Sequence, residues 1–268
     1  MMNTCTLRIL GCSGGIASGL RTTSLLLNES ILIDAGTGVG DLTLQELRKI
    51  DHVFLTHSHL DHICSIPFIA DAVGASRGKP LKIYGIYETI HALQKHLFNN
   101  VLWPDFTKIP STQNPFVSLS RIEIGAPTQL GNINIIALPV DHSIAANAYA
   151  IESDTGALVF SGDTGSSNQF WDAVNRTIPM KKLRHLIIET SFLNAEEKLA
   201  SISGHLSPKL LIQELGKLDL QVSHPDLQIW ISHLKPDGGE DNMTEISHEA
   251  LSFEIKPRIL TRGMALQF

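Results

Sequence analysis

The stretch VFLTHSHLDHICSIPF, from Val53 to Phe68, carries the strongest structural signal in the chain. An apolar run ends at Thr56, and four metal-ligand side chains follow within six residues: His57, His59, Asp61 and His62. His57 and His59 point to the same side if the backbone stays extended after the strand. Imidazole and carboxylate groups together suit zinc, iron or manganese. The stretch therefore predicts a metal site where a buried strand leads into a helix over residues 63–73.

Three further candidates each follow an apolar run. IIALPVDHS contains His142, ALVFSGDTG contains Asp163, and LQIWISHLKPDG contains His233. Functional groups gather where the strands of α/β folds end, so we expect these side chains on the same rim as the first cluster. Alone, an aspartate in GDTG is typical of a turn. Together the candidates number five histidines and two aspartates, about what two metal ions need if each keeps an open position.

The other histidines divide into two kinds. His205, in SISGHLSP, precedes a helix start and is ambiguous by itself. The rest lie in expected helices, strand starts or turns, and we interpret them as structural or solvated. They are His52, His91, His96, His185, His224 and His248.

Composition restricts the class of protein. The 268 residues are 43% hydrophobic and 18% charged, which is typical of a globular protein with a sizeable core. The formal charge is −6 and no dense basic run occurs, so we expect no tight binding of a long nucleic acid. Because no Pro/Gly/Ser-rich linker divides the chain, we predict a single domain over residues 1–268. The turn-rich segment Pro104–Pro115 is interpreted as an active-site loop.

Cysteine usage and hydropathy predict the compartment. Cys5, Cys12 and Cys64 form no CxxC pair, which fits a reducing environment. The first residues lack a basic segment followed by a long apolar one, so no signal peptide is predicted. No apolar run reaches about 18 residues, so no membrane span or membrane partner is predicted. These features favour a cytoplasmic location.

Hydrophobic patterning predicts many short strands with helices between them. Helical spacing occurs in DLTLQELRKI, ETIHALQKHLF and SPKLLIQELGKL, the last with Ser207 and Pro208 as N-cap and first-turn residue. The pattern indicates a layered α/β protein with sheets at the centre. The predicted strands are Thr6–Leu10, Ser24–Leu27, Ile31–Ile33, Val53–Thr56, Leu81–Tyr84, Ile133–Pro139, Ala148–Ile151, Ala157–Ser161, Leu186–Ile188 and Leu227–Ile231.

These motifs resemble a known superfamily. THSHLDH resembles the metal motif of the metallo-β-lactamase superfamily, and His142, Asp163 and His233 follow in the order that superfamily uses. LGCSGGIASGLRTTSLLL followed by ILIDAGTG resembles its N-terminal half. Within the superfamily, four stretches resemble the class II cyclic-nucleotide phosphodiesterases: HSHLDHICSIPF, KHLFNNVLWPDFTKIP, IIETSFLNAEEKLASISGHLSPKLLIQEL and SHLKP. The resemblance implies a four-layer αββα sandwich with the site along one edge.

The resemblance also implies two metal positions. Zinc is the first expectation for both ions, with manganese or iron as alternatives. Asp34 would orient a ligand, although an aspartate at a strand end is also an ordinary turn residue. The implied ligands are His57, His59 and His142 at the first position, Asp61, His62 and His233 at the second, and Asp163 between them.

A hydrolytic function follows from this resemblance. The stretch ETSF…GHLSP also resembles the tRNA 3′-processing endonucleases (RNase Z), in which a histidine after an acidic motif assists catalysis. His205 is therefore a candidate for protonating the leaving group, and Asp61 is either a ligand alone or also orients the nucleophile. The predicted reaction is attack of a hydroxide held between the metals on a 3′,5′-cyclic nucleotide, which gives a 5′-nucleotide. Trp103 or Phe106 would either stack on the base or pack in the core.

Three alternatives stay open at the level of sequence. The first is an RNase Z-like endonuclease, although no basic Gly/Pro-rich arm occurs between His62 and His142. The second is a hydrolase of carbon esters, lactones or thioesters, and the third is a metal-binding protein without hydrolytic activity. The sequence leaves the metal, the particular cyclic nucleotide and a homodimeric state undetermined.

Overall fold

The computed structural model describes residues 4–219, 226–253 and 255–268, and within them fourteen strands form two seven-stranded sheets. The strands are β1 (Thr6–Gly11), β2 (Ser24–Leu27), β3 (Ile31–Ile33), β4 (His52–Phe54), β5 (Leu81–Gly85), β6 (Val117–Arg121), β7 (Pro127–Leu130), β8 (Ile133–Pro139), β9 (Asn147–Glu152), β10 (Ala157–Phe160), β11 (Leu183–Glu189), β12 (Gln228–Ser232), β13 (Arg258–Ile259) and β14 (Ala265–Gln267).

Eight α-helices lie in the described segments. They are α1 (Leu44–Lys49), α2 (Leu60–Ile63), α3 (Ile66–Val73), α4 (Tyr87–Ala92), α5 (Asn168–Thr177), α6 (Glu197–Ser203), α7 (Pro208–Leu215) and α8 (Gly239–Glu249). A π-turn, Leu93–Leu97, continues α4. Over the residues that the structure covers, no helix combines the length and apolar character that crossing a bilayer requires.

Each sheet has an antiparallel half and a parallel half. The first has the order β14-β1-β2-β3-β4-β5-β6, and β3 to β6 run parallel. The second has the order β13-β12-β11-β10-β9-β8-β7, and β10 to β13 run parallel. Parallel neighbours need crossover connections, which place helices outside the sheets. The loops after β4, β10 and β12 all leave the carboxyl ends of parallel strands, which brings these loops close to one another.

Alternation of side chains along the strands builds three apolar layers. In β2, Leu25 and Leu27 belong to a cluster that both sheets share, whereas Leu26 faces a separate cluster that contains α3 residues. A third cluster packs α5, α7 and α8 against the opposite side of the second sheet. This arrangement, helices–sheet–sheet–helices, is the predicted four-layer sandwich.

The ten predicted strands are present. Ser24–Leu27, Ile31–Ile33 and Ile133–Pro139 have the predicted bounds, and the other seven differ at one or both ends. Leu183–Glu189 is longer than predicted because its first residues alternate in burial. The patterns of β6, β7, β13 and β14 gave no prediction, since these strands are short or exposed on one face. Helices α5, α6 and α8 were likewise not predicted.

Two local predictions need adjustment. The helix predicted over residues 63–73 is divided, because α2 ends at Ile63 and α3 begins at Ile66 with Pro67 in its first turn. Proline lacks the N–H that a helix interior requires, so it is tolerated only there. Helix α7 begins at Pro208 as predicted, but the Ser207 hydroxyl makes no capping hydrogen bond.

Candidate metal centre

Strand ends of both sheets supply the candidate ligands. The loop after β4 carries His57 and His59, and α2 carries Asp61 and His62. Asp163 follows β10 and His233 follows β12 directly. His142 lies in the loop between β8 and β9. His233 has a φ of +61°, a left-handed conformation that is uncommon for a non-glycine residue.

The first group of ligand atoms is compact. The Nε2 of His57 lies 3.0 Å from the Nδ1 of His59, which lies 3.3 Å from the Nε2 of His142. Asp163 Oδ2 is 3.7 Å from the His57 nitrogen and 4.0 Å from the His142 nitrogen. These four side chains therefore present their donor atoms to one point.

The second group shares Asp163 with the first. Asp163 Oδ1 is 3.4 Å from the Nε2 of His62, and Oδ2 is 3.3 Å from the Nε2 of His233. Asp61 Oδ2 lies 3.2 Å from the same His233 nitrogen and 3.7 Å from that of His62. Asp163 thus stands between both groups, as the resemblance implied.

The donor set fits divalent cations. A zinc–nitrogen bond of about 2.05 Å gives a tetrahedral edge of about 3.3 Å between neighbouring ligand atoms. The eight separations given above, from 3.0 to 4.0 Å, scatter around that value. Each group is one in which all the ligand atoms lie within 4.8 Å of one another. The residues present therefore match a metal's coordination shell.

Hydrogen bonds on the outer side fix the imidazole tautomers. His62 Nδ1 donates to Asp34 Oδ2 at 2.7 Å, and His142 Nδ1 donates to the carbonyl oxygen of Gly204 at 2.8 Å. In the neutral form of both rings, Nε2 then carries a lone pair that faces the group. The Nε2 of His62 is fully buried and has no hydrogen-bond partner among the described residues. A buried lone pair of this kind is what a metal ligand requires.

Asp34 is the centre of a buried network beneath the second group. Its Oδ1 accepts from the backbone N–H of Thr56, and its Oδ2 accepts from the Thr56 hydroxyl and from His62. All three residues are buried. The φ of Asp34 is +58°, which aspartate and asparagine tolerate better than most residues. Asp34 therefore orients a candidate ligand, rather than only forming a turn.

His205 lies beside the two groups with a carboxylate behind it. Its Nδ1 is 2.6 Å from Glu189 Oε1, and its ring stacks on His233 with 5.4 Å between centroids. The ring also lies 5.0 Å from that of His142, edge to face. Glu189, at the end of β11, is fully buried and also accepts from the backbone N–H of Thr164. Glu189, His205 and His233 form a third set of convergent donor atoms.

Burial and neighbouring charges both shift the pKa values of the site residues. Burial raises the pKa of Asp163, but His233 and His62 outweigh it and hold the pKa well below the usual carboxyl range. Burial lowers the pKa of His57 well below the usual imidazole value, and His62 adds to this effect. An anionic aspartate and a neutral imidazole are the forms that bind metals. Burial lowers the pKa of His205, but Glu189 outweighs it and raises the pKa above the usual value.

Other polar residues near the site were not identified from the sequence. Glu189 lies in the stretch ETSF, and its position as an acidic residue at the end of a buried strand could have identified it. The hydroxyls of Thr56 and Ser191 contact His57 and His233 respectively. No feature of the sequence pointed to either residue. Serine and threonine are too common at strand ends to be informative singly.

The histidines interpreted as structural lie outside the three donor sets. His185, for example, is buried and accepts from the indole N–H of Trp230. His224 lies outside the described residues. Phe106 is buried against Phe98 and Phe116, so it belongs to the core. Trp103 is partly buried and packs edge to face on Phe68.

A polar cavity opens beside His142 and His205. Its volume is about 320 Å³. The loops that carry His142, Gly165 and Gly204 form its walls, with Ser143 and Ser201 at the rim. A small ligand in this cavity would contact the candidate site directly.

Comparison with known proteins gives concordant results. A family model described as class-II cAMP phosphodiesterases matches residues 42–168 and 143–253. A 3′,5′-cyclic-nucleotide phosphodiesterase of Aliivibrio fischeri is 29% identical over an alignment of 270 positions, gaps included. The alignment covers 84% of this chain and 80% of that protein.

Solved structures confirm the predicted fold. Unliganded yeast PDE1 superimposes with a TM-score of 0.83 at 21% identity, over 100% of both chains. The Bacillus subtilis protein YhfI, described as a metallo-beta-lactamase fold protein, gives a TM-score of 0.76 at 20% identity, over 99% of this chain and 100% of that one.

Proposed function

The chain belongs to the class-II cAMP phosphodiesterase family, and from that premise we propose that it hydrolyses 3′,5′-cyclic nucleotides to 5′-nucleotides at the candidate metal centre. The observation that carries the proposal is the pair of ligand groups joined at Asp163, with the Glu189–His205 pair beside them. The substrate is a small phosphodiester, and the enzyme is a hydrolase.

Two divalent ions are the proposed cofactors, with zinc preferred. His57, His59 and His142 would hold one, Asp61, His62 and His233 would hold the other, and Asp163 would contact both. When bound, such ions lower the pKa of a coordinated water and neutralise charge on phosphate oxygens. Asp34 and the Gly204 carbonyl would keep the imidazoles of His62 and His142 in the ligating tautomer.

Two side chains would move the protons. In the hydrolysis, the oxygen of a water forms a bond to phosphorus, and the bond from phosphorus to the ribose O3′ breaks. Asp61, which is partly exposed, would orient the water and accept its proton. His205 would donate a proton to O3′ as that oxygen leaves, and Glu189 would hold its ring in place. The product is a nucleoside 5′-monophosphate with a free 3′-hydroxyl.

The first test measures the reaction. After metal analysis, the purified protein is assayed for 5′-nucleotide release from cyclic AMP and cyclic GMP, with a precursor tRNA as a parallel substrate. We expect release from at least one cyclic nucleotide. Cleavage of the tRNA alone would instead favour the RNase Z-like alternative.

A second test examines the proposed acid. His205→Ala should bind as much metal as wild type yet turn over roughly 10²–10⁴-fold more slowly, because only proton transfer is lost. Glu189→Gln should give a smaller loss, since the ring keeps a hydrogen-bond partner. Loss of metal from His205→Ala would mean that His205 is a ligand in the third donor set.

A further inference from the structure

Lys235 is a partly buried lysine that forms no ion pair with any acidic residue in the described ranges 4–219, 226–253 and 255–268. It follows the candidate ligand His233 by two residues. Its Nζ donates to the carbonyl oxygen of Gly14 at 3.1 Å and lies 5.8 Å from the centre of the Phe192 ring. Within the described parts of the chain, no carboxylate oxygen lies within 4.0 Å of this nitrogen.

Other lysines in the structure show what usually satisfies such a charge. Five of them lie within 4.0 Å of a carboxylate: Lys49, Lys79, Lys108, Lys209 and Lys217. Lys256 instead donates to the carbonyls of Ala250 and Leu251, where the last helical segment ends, and lysines often occupy such a position. Gly14 is in a loop, so this explanation does not extend to Lys235. Partial burial of an ammonium costs free energy unless an anion compensates it.

The two residues that Lys235 contacts, Phe192 and Gly14, each lie against a residue of the candidate site. The Phe192 ring lies 5.6 Å from that of His205. Gly14 packs so closely on His233 that an added Cβ would lie 2.7 Å from its Nδ1. The Phe192 ring therefore links the ammonium to His205, and the backbone of Gly14 links it to His233. Its charge also acts on His205, where it opposes the effect of Glu189 on the pKa.

We propose that Lys235 binds a non-bridging phosphate oxygen of the substrate, an inference that rests on the proposed function. An ammonium has three N–H donors, and the Gly14 carbonyl uses one of them. A cyclic phosphodiester carries one negative charge, whereas the transition state of water attack and the phosphomonoester product carry more. A fixed cation at this position stabilises the more highly charged species preferentially. Lys235 would therefore contribute to turnover and to retention of the product.

The experiment compares Lys235→Met and Lys235→Arg with a matched control. Lys209→Met removes an exposed lysine whose partner, Glu197, is 3.9 Å away. For each variant, kcat and KM for cyclic AMP, the inhibition constant of 5′-AMP, the metal content and the urea midpoint are measured. We expect Lys235→Met to lower kcat/KM about 10²-fold, the effect of removing one charge-stabilising donor. Inhibition by 5′-AMP should weaken at least about tenfold, and Lys235→Arg should recover part of both losses.

The remaining readouts separate binding of phosphate from a structural role. Metal content and urea midpoint should equal those of wild type in Lys235→Met, and Lys209→Met should match wild type throughout. Unchanged kcat/KM and 5′-AMP inhibition in Lys235→Met would overturn the proposal, as would a loss of metal. If wild type fails to hydrolyse cyclic nucleotides, the proposed function fails. The role of Lys235 is then tested with bis(p-nitrophenyl) phosphate, another singly charged phosphodiester, where an unchanged kcat/KM overturns it.

Discussion

Replacement of Asp34 by asparagine tests how the second ligand group is held. The side chain keeps its shape, and asparagine tolerates the φ of +58° at this position. In wild type, Oδ1 accepts from the Thr56 N–H, and Oδ2 accepts from the Thr56 hydroxyl and from His62 Nδ1. An amide has only one oxygen, so it cannot satisfy both sides. An NH2 group at the Oδ1 position would face the Thr56 N–H, and at the Oδ2 position it would face His62.

The second orientation explains the expected effect on metal binding. To accept from an amide N–H, His62 must carry its proton on Nε2, and that nitrogen faces Asp163 at 3.4 Å. The ligating lone pair is then lost. Removal of an orienting partner of this kind weakens metal binding roughly 10- to 100-fold. That factor corresponds to about 1.4–2.7 kcal/mol, comparable with the loss of one charged hydrogen bond.

Metal affinity is measured by chelator competition, and the secondary structure is followed by circular dichroism. Asp71→Asn, an exposed aspartate on α3, serves as the control and should bind metal like wild type. A folded Asp34→Asn protein with wild-type metal affinity would refute the reasoning, because the tautomer of His62 would then not depend on Asp34.

Three further predictions concern the fold around the site. Gly204→Ala should lower the free energy of unfolding by roughly 1–3 kcal/mol in urea and reduce metal content, because φ is +68° and a Cβ would lie 2.8 Å from the Cα of His142; equal stability would contradict this. Phe54→Ala should cost about 3–5 kcal/mol in the same assay, since the ring is fully buried between the sheets. A hydrogen bond from the Thr43 backbone N–H, together with those from the Arg8 and Thr43 side chains, lowers the pKa of Glu46 from 4.5 to about 2. Its contribution to stability is therefore complete above pH 4.5 and lost as the pH falls towards 2, so unfolding of Glu46→Gln should depend less on pH in that window.

The sequence pattern was sufficient to select all seven candidate ligands. His57 to His62 are close in sequence, so the strand–loop–helix pattern was enough to predict that their side chains converge. His142, Asp163 and His233 were selected because each follows an apolar run, and their order matched a known superfamily. The assignment of these residues as ligands stays a proposal, but the structure places their donor atoms within 4.8 Å of one another in two groups.

Strand prediction succeeded where burial was two-sided and failed elsewhere. The strand Ala157–Phe160 is buried at every position, and a short continuous apolar run predicted it. Pro127–Leu130 has no buried residue, so its pattern resembles a loop. Its place in the sheet depends on pairing with Ile133–Ile136 on the neighbouring strand.

The chemistry available to this protein is visible in the amino-acid order: a dense imidazole–carboxylate motif after a buried strand, further ligand types at later strand ends, and apolar runs that form strands. These features are local, since period and spacing along the chain encode them. The groups that support them are brought there by the packing of the folded chain. Asp34 reaches His62 across 28 positions, Glu189 reaches His205 across 16, and Lys235 reaches Gly14 across 221. Such contacts arise from how the sheets pack and where their parallel strands end, and no spacing along one chain specifies them.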